Sequence, residues 1–117
     1  MLAPHLEFGR AAEDAALQYF IAQTAGAKLI ARNYGFRGGE IDLIFESGDE
    51  LVFIEVRARS GDGLLQGFET ILWRKQRRIE KAIRHFMFRY EGRAKRMRLD
   101  VLSWDGKAWT HLKNVWF

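Results

Sequence analysis

Two apolar, β-rich runs, Glu40 to Glu46 and Leu51 to Ala58, flank the four residues Ser47, Gly48, Asp49 and Glu50, and no other stretch restricts the fold as tightly. Both runs have the length and composition of strands, and the intervening residues are turn formers, so the segment reads as an antiparallel hairpin. With Glu46 facing Leu51, every opposed pair has residue numbers summing to 97, which sets Asp42 opposite Glu55 and Glu40 opposite Arg57. Alternation along a strand then gives one wholly apolar face, Ile41, Leu43, Phe45, Val52, Ile54 and Val56. The other face holds Glu40, Asp42, Glu55 and Arg57 with Ile44 and Phe53. Opposed Cβ atoms lie ~4.5–5.5 Å apart, where like charges destabilise a sheet, so something must compensate the two acids.

The remaining pattern places helices and strands around this hairpin. Residues 7 to 25 form a helix rich in Ala11, Ala12, Ala15, Ala16, Leu17 and Ala22, with Gly26 as its stop. Glu13 shares a stripe with Ala16, Leu17 and Phe20 and leans toward the core. Lys28 to Tyr34 reads as a strand. Ser60 to Glu69 carries three glycines and reads as an exposed, mobile loop. Thr70 is an N-cap for a second helix reaching about Arg89, with Ile71, Ile79, Ile83, Phe86 and Tyr90 along its apolar stripe. Arg74, Arg77, Arg78, Lys81 and Arg84 occupy the opposite side, whereas Lys75, four residues from both Ile71 and Ile79, belongs near the buried edge. Lys95 to Trp104 and Lys107 to Val115 are two further strands joined by the two-residue turn Asp105-Gly106, a register that sets Asp100 opposite His111 for a structural hydrogen bond or ion pair.

With 117 residues, no repeat and no linker, the chain reads as one domain, 1–117, too short for separate cofactor and substrate domains. The absence of Cys excludes disulfides, thiolate nucleophiles and cysteine-ligated metals, and suits a reducing, cytoplasmic location. Neither a membrane-length apolar run nor a secretory signal is expected. No Gly-rich loop ends in Lys-Ser or Lys-Thr, so no P-loop and no nucleotide cofactor are expected. His5, His85 and His111 lack metal-ligand spacing, and the four Trp residues are expected chiefly in packing. The net charge of +4 is unevenly spread: residues 40–69 sum to −6 and residues 70–99 to +9. An acidic centre followed by a basic helix suggests a site that gathers cations beside a surface that attracts polyanions.

Two carboxylates pressed together across a hairpin suit a hard divalent cation. Mg²⁺ takes one or two carboxylates, keeps several waters, and offsets the repulsion between the acids. The competing reading is a cluster at the sheet edge in which Arg57 pairs with Glu40 or Glu55 and nothing binds.

Gly9-Arg10-Ala11-Ala12-Glu13, Arg32-Asn33, Gly39-Glu40-Ile41-Asp42-Leu43-Ile44 and Val52-Phe53-Ile54-Glu55-Val56-Arg57-Ala58-Arg59 resemble the YraN family of small bacterial proteins. Lys75, Arg78-Ile79, Leu99-Asp100-Val101 and His111-Leu112-Lys113-Asn114 continue the likeness over nearly the whole chain. That family is similar in fold to Holliday-junction resolvases of the PD-(D/E)xK nuclease superfamily. The resemblance implies an α/β, restriction-endonuclease-like core, a mixed sheet flanked by two helices in the order αβββαββ. It implies metal-binding roles for Asp42 and Glu55 and an acid, Glu13, supplied by the first helix. It also implies a dimer, since resolvases cut two strands with two related sites. Arg57 stands where the superfamily pattern has Lys; it can hold a phosphate but, always protonated, cannot exchange a proton.

The combined reading is a nuclease that hydrolyses phosphodiester bonds of DNA, branched DNA among them, with Mg²⁺ or Mn²⁺. Glu13, Asp42, Glu55 and Arg57 form its catalytic group. Lys75, Arg74, Arg77, Arg78, Lys81 and Arg84 hold flanking phosphates. A catalytically silent nucleic-acid-binding module of the same fold and a protein-interaction subunit are the alternatives.

Overall fold

The computed structural model describes residues 4–58 and 64–116, with side chains described for 10–58 and 75–116. The elements are α1 (Pro4–Gln23), β1 (Lys28–Phe36), β2 (Gly39–Ser47), β3 (Glu50–Ala58), α2 (Leu64–Arg89), β4 (Arg96–Trp104) and β5 (Trp109–Leu112). The αβββαββ order expected from the resemblance is the order observed, and the fold is α/β.

The five strands form one sheet in sequence order, antiparallel throughout except for β3 and β4. A parallel pair requires a crossover, and α2 supplies it. The two helices cover opposite faces, as adjacent residues of β3 demonstrate. Phe53 packs with Ile79, Ala82, Ile83 and Phe86 of α2, whereas Val52 and Ile54 pack with Ala16, Leu17 and Phe20 of α1. The sheet thus has two apolar layers, which is why its central strands read as nearly continuous apolar runs rather than as alternating ones.

The first hairpin keeps the expected register: Leu43 faces Ile54, Ile44 faces Phe53 and Glu46 faces Leu51. Its turn is tighter than four residues, because Ser47 still pairs with Glu50, and Gly48 takes the positive φ of 62° that a two-residue turn needs. The ladder stops at Leu43 and Ile54. Beyond that point β2 and β3 part, and Glu40 pairs with Gly35 of β1 rather than opposing Arg57.

The expected single apolar face, Ile41 to Phe45, is also corrected. Ile41 and Ile44 lie on the α2 side, while Leu43 and Phe45 lie on the α1 side. Strand β1 changes face at the same level, with Ala31 and Tyr34 both against the α2 cluster. Between them Asn33 adopts a left-handed φ of 49°, and no ladder pair joins it to Asp42. A left-handed residue rotates the strand about its axis, and the two strands change parity together.

Three other boundaries differ from expectation. Helix α1 runs Pro4–Gln23 rather than 7–25, with Thr24 to Gly26 forming its exit turn. Helix α2 begins at Leu64, so the second half of the expected 60–69 loop is helical, while residues 59–63 fall outside the described part. Leu64 and Phe68 stand at steps of seven and three from Ile71, and that periodicity outweighs Gly67, which costs about 1 kcal/mol relative to Ala. The last hairpin has a four-residue connection, and Trp104 faces Trp109 rather than Lys107. Asp105 Oδ1 accepts hydrogen bonds from the Lys107 and Ala108 N–H groups at 2.7 and 2.8 Å, removing those donors from the ladder.

Candidate functional site

The gap where β2 and β3 part is built around Asp42 and Glu55. Asp42 Oδ2 accepts the Val56 N–H at 2.8 Å, so the side chain replaces the ladder partner that the divergence removed. Glu55, the next residue along β3 past the last paired position, is only 4% exposed. Burial, and then the negative charge of Asp42, push its carboxyl up to about 8. Asp42 is itself raised by burial, against the opposing effects of the Val56 N–H and Lys75. The charge of Asp42 therefore disfavours ionisation of Glu55 even though β2 and β3 no longer pair at this level.

Both helices contribute although they cover opposite faces. From α2, Lys75 places Nζ 3.7 Å from Glu55 Oε2. From α1, Glu13 has its carboxyl raised by burial and by the charge of Asp42, while a hydrogen bond with Asn33 acts in the opposite direction. The left-handed residue that turns β1 is thus also the one that holds Glu13. Arg32, beside it, anchors β1 to α1 through a 2.6 Å ion pair with Asp14. Arg57 sits half-buried on β3 opposite Ser103, and its charge acts on both Asp42 and Glu55 in the lowering direction. Glu13, Glu55 and Arg57 all lie within electrostatic reach of Asp42, but of these four residues only Glu55 lines the small cavity beside Lys75.

The expected phosphate-binding residues divide into two groups. Lys75 belongs to the acidic gap itself. Arg78 is exposed and reaches Glu40 at 3.4 Å, while Arg77, Lys81 and Arg84 are exposed on the outer side of α2. The Arg74 side chain lies outside the described residues. Sequence reasoning missed Asn33 as a part of the site, and the signal was an Asn inside a β-rich run, where Asn is disfavoured unless it serves a turn or a hydrogen bond.

The donor set fits a hard cation. Every candidate ligand is a carboxylate oxygen, Asp42 retains Oδ1 after the Val56 bond, and Glu13 Oε1 is buried with no hydrogen-bond partner within the protein. A cavity of about 20 Å³ lined by Glu40, Glu55, Lys75, Arg78 and Ile79 has room for a water or a bare ion. Among the described residues no three acidic or histidine side chains form a complete ligand set. A cation here would be held by two carboxylates and water, the manner of Mg²⁺ or Mn²⁺ rather than of zinc.

The second expected pair behaves differently. His111 Nε2 lies 2.7 Å from Asp100 Oδ2, although the register has moved and His111 now faces Leu102. Asp100 and Leu102 share a face, so the contact survives as a diagonal one. Asp100 also accepts from Arg98 Nε at 3.1 Å and from the Asn114 N–H at 3.0 Å. Burial would raise its carboxyl, but the His111 and Asn114 hydrogen bonds and the Arg98 charge outweigh it and hold it below the ordinary range. The pair faces α1, with the His111 ring 5.8 Å from Phe20, while Glu55 faces α2.

The fold and this gap define an α/β protein with a carboxylate pair at a strand divergence, reached by side chains from both helix layers. Residues 12–103 match the family described as "Uncharacterised protein family UPF0102", and the chain belongs to that family, the YraN family of the resemblance. It is 44% identical over 112 residues to the UPF0102 protein of Legionella pneumophila (strain Corby), covering 93% of each chain. It is 41% identical over 107 residues to that of Janthinobacterium sp. (strain Marseille), covering 92% of this chain and 85% of the relative. Among the described residues, no helix is long and apolar enough to cross a membrane.

Proposed function

We propose that the protein is a metal-dependent DNA endonuclease, acting on branched or otherwise non-standard DNA. The observation that carries this reading is the buried Asp42–Glu55 pair, in which burial, and then the charge of Asp42, push Glu55 up to about 8 while Lys75, 3.7 Å away, only partly offsets them. Strongly perturbed carboxylates of this kind concentrate at functional sites.

Asp42 and Glu55 would hold the cation, Mg²⁺ or Mn²⁺, which when bound supplies an acidified water and charge stabilisation at the phosphate. Glu13 Oε1, buried without a hydrogen-bond partner within the protein, would orient water or a ligand brought into the gap. Arg57 holds the scissile phosphate through a charge that persists at every working pH. Lys75 brings to Glu55 the one amine described at the site, so the proton exchange that Arg57 cannot perform falls to an α2 side chain. Arg78 and its exposed neighbours on α2 hold flanking phosphates. A closed two-fold dimer would present two such gaps, one for each strand.

The alternative of a silent binding module is favoured by Arg57 alone. Incubation with duplex, single-stranded, flapped and four-way DNA, with Mg²⁺, Mn²⁺ or a chelator, tests the proposal. Metal-dependent cutting that disappears in Asp42→Asn and Lys75→Met supports it; binding without cutting in wild type and in Arg57→Lys favours the silent module.

A further inference from the structure

Helix α2 has a second, outward-facing stripe that the acidic gap does not use. Arg77, Lys81, Arg84 and Phe88 follow one another at steps of four, three and four and therefore share one face. All four are exposed, on the side opposite Ile79, Ala82, Ile83 and Phe86, which pack on the sheet. Phe88 is 92% exposed, far more than any other large apolar side chain among the described residues. A fully exposed ring on a cationic face gains nothing from the fold that carries it. Three residues before it, His85 stacks against Phe36 with ring centroids 4.3 Å apart and planes at 15°, so the end of the stripe is an aromatic ledge.

We infer that this stripe is a docking track for nucleic acid in which Phe88 stacks on an unpaired base while Arg77, Lys81 and Arg84 hold the phosphates beside it. The charge pattern selects this occupant. A second copy related by a two-fold axis through the stripe would bring the three cations against their own counterparts, and like charges at close range disfavour that pairing. A nucleic-acid strand satisfies both halves of the surface, phosphates for the cations and a π-face for the ring. From Arg77 to Phe88 the helix rises about 16 Å, the length of about five stacked nucleotides. Because the stripe points away from the sheet, it engages a different part of the nucleic acid from the part in the Asp42–Glu55 gap. The inference rests on the DNA reading above and adds to it a preference for unpaired bases.

The test uses the full chain with a labelled single strand of about 16 nucleotides, a fork carrying that strand as its arm, and a blunt duplex. Phe88→Ala should weaken binding to the single strand and the fork by roughly five- to 150-fold. It should leave the blunt duplex and the salt dependence nearly unchanged. Phe88→Trp should retain affinity, and its added fluorescence should be quenched on binding. Arg84→Gln should instead weaken all three ligands and flatten the salt dependence. Unchanged single-strand affinity in Phe88→Ala, an equal loss for the blunt duplex, or an unquenched Trp would overturn the inference. If wild type cuts DNA and Asp42→Asn does not while Phe88→Ala binds normally, only the stripe fails; if wild type binds none of the three, the DNA reading fails with it.

Discussion

Asp100 and Glu55 are both buried acids on neighbouring parallel strands, one 0% and the other 4% exposed, yet their surroundings are opposite. Asp100 is answered by His111, Arg98 and the Asn114 N–H, and its carboxyl is held down. Glu55 has an acid as its strongest charged neighbour and a lysine at 3.7 Å, and its carboxyl is pushed up. Burial costs both groups their hydration; only the first recovers it within the protein. A fully satisfied buried acid holds a sheet edge together. A poorly satisfied one is the candidate for binding a ligand.

The largest expected difference between the two is in chemistry. Asp42→Asn should lower metal-dependent cleavage by roughly 10²–10³-fold or more, the scale on which a group stabilising transition-state charge acts. Thermal stability should be equal or higher, because a charge repelling Glu55 has gone; a large fall in melting temperature would show that Asp42 is structural. Asp100→Ala should do the reverse. Breaking a buried charged network costs about 3 kcal/mol, which lowers the melting temperature by about 10 °C. Cleavage per folded molecule, measured well below that transition, should change little.

The pH dependence should separate the regions by sign. Glu55 titrates at about 8 when folded and near 4.5 when unfolded, so between those values the unfolded chain has released the proton that the native chain keeps. Stability of the metal-free protein therefore falls as pH rises across that window. Urea midpoints in chelator should show the fall, Glu55→Gln should flatten it, and Mg²⁺ should raise the midpoint at pH 8 but not at pH 5. Asp100, depressed when folded, contributes stability that is present above its unfolded value near 3.8 and is lost as pH falls through the lower folded value. Asp100→Asn should remove that acid-side dependence.

The smallest effect belongs to the exposed pair Arg78–Glu40, 3.4 Å apart. Arg78→Ala should shift stability by no more than about 0.5 kcal/mol. DNA affinity should fall and its salt dependence should flatten. A stability loss comparable to that of Asp100→Ala would mean that the basic face of α2 serves the fold before it serves a ligand.

The sequence by itself determined the order of elements and the register that brings Asp42 toward Glu55, because strand alternation and short turns are local rules written into runs such as Leu43–Phe45 and Val52–Ile54. The placement of Glu13 on the inner stripe of α1, with Ala16, Leu17 and Phe20 buried beneath, was legible for the same reason. Tertiary structure alone decided where those rules stop. Asn33 turns β1 and β2 over together at Asp42, so Ile41 changes layers, and nothing local to β2 records a rotation that originates in its neighbour. The register of the last hairpin was set by Asp105 capturing two N–H groups, a side-chain competition that the Asp-Gly dipeptide alone leaves open. Lys75 read as a buried-edge cation, but its meeting with Glu55 depends on how α2 crosses the sheet, and that angle is decided by the packing of Ile79, Ala82 and Ile83 against Phe53 and Ile44. Helical and strand periods fix which way a side chain faces within its element; only the docking of one element on another fixes what it meets.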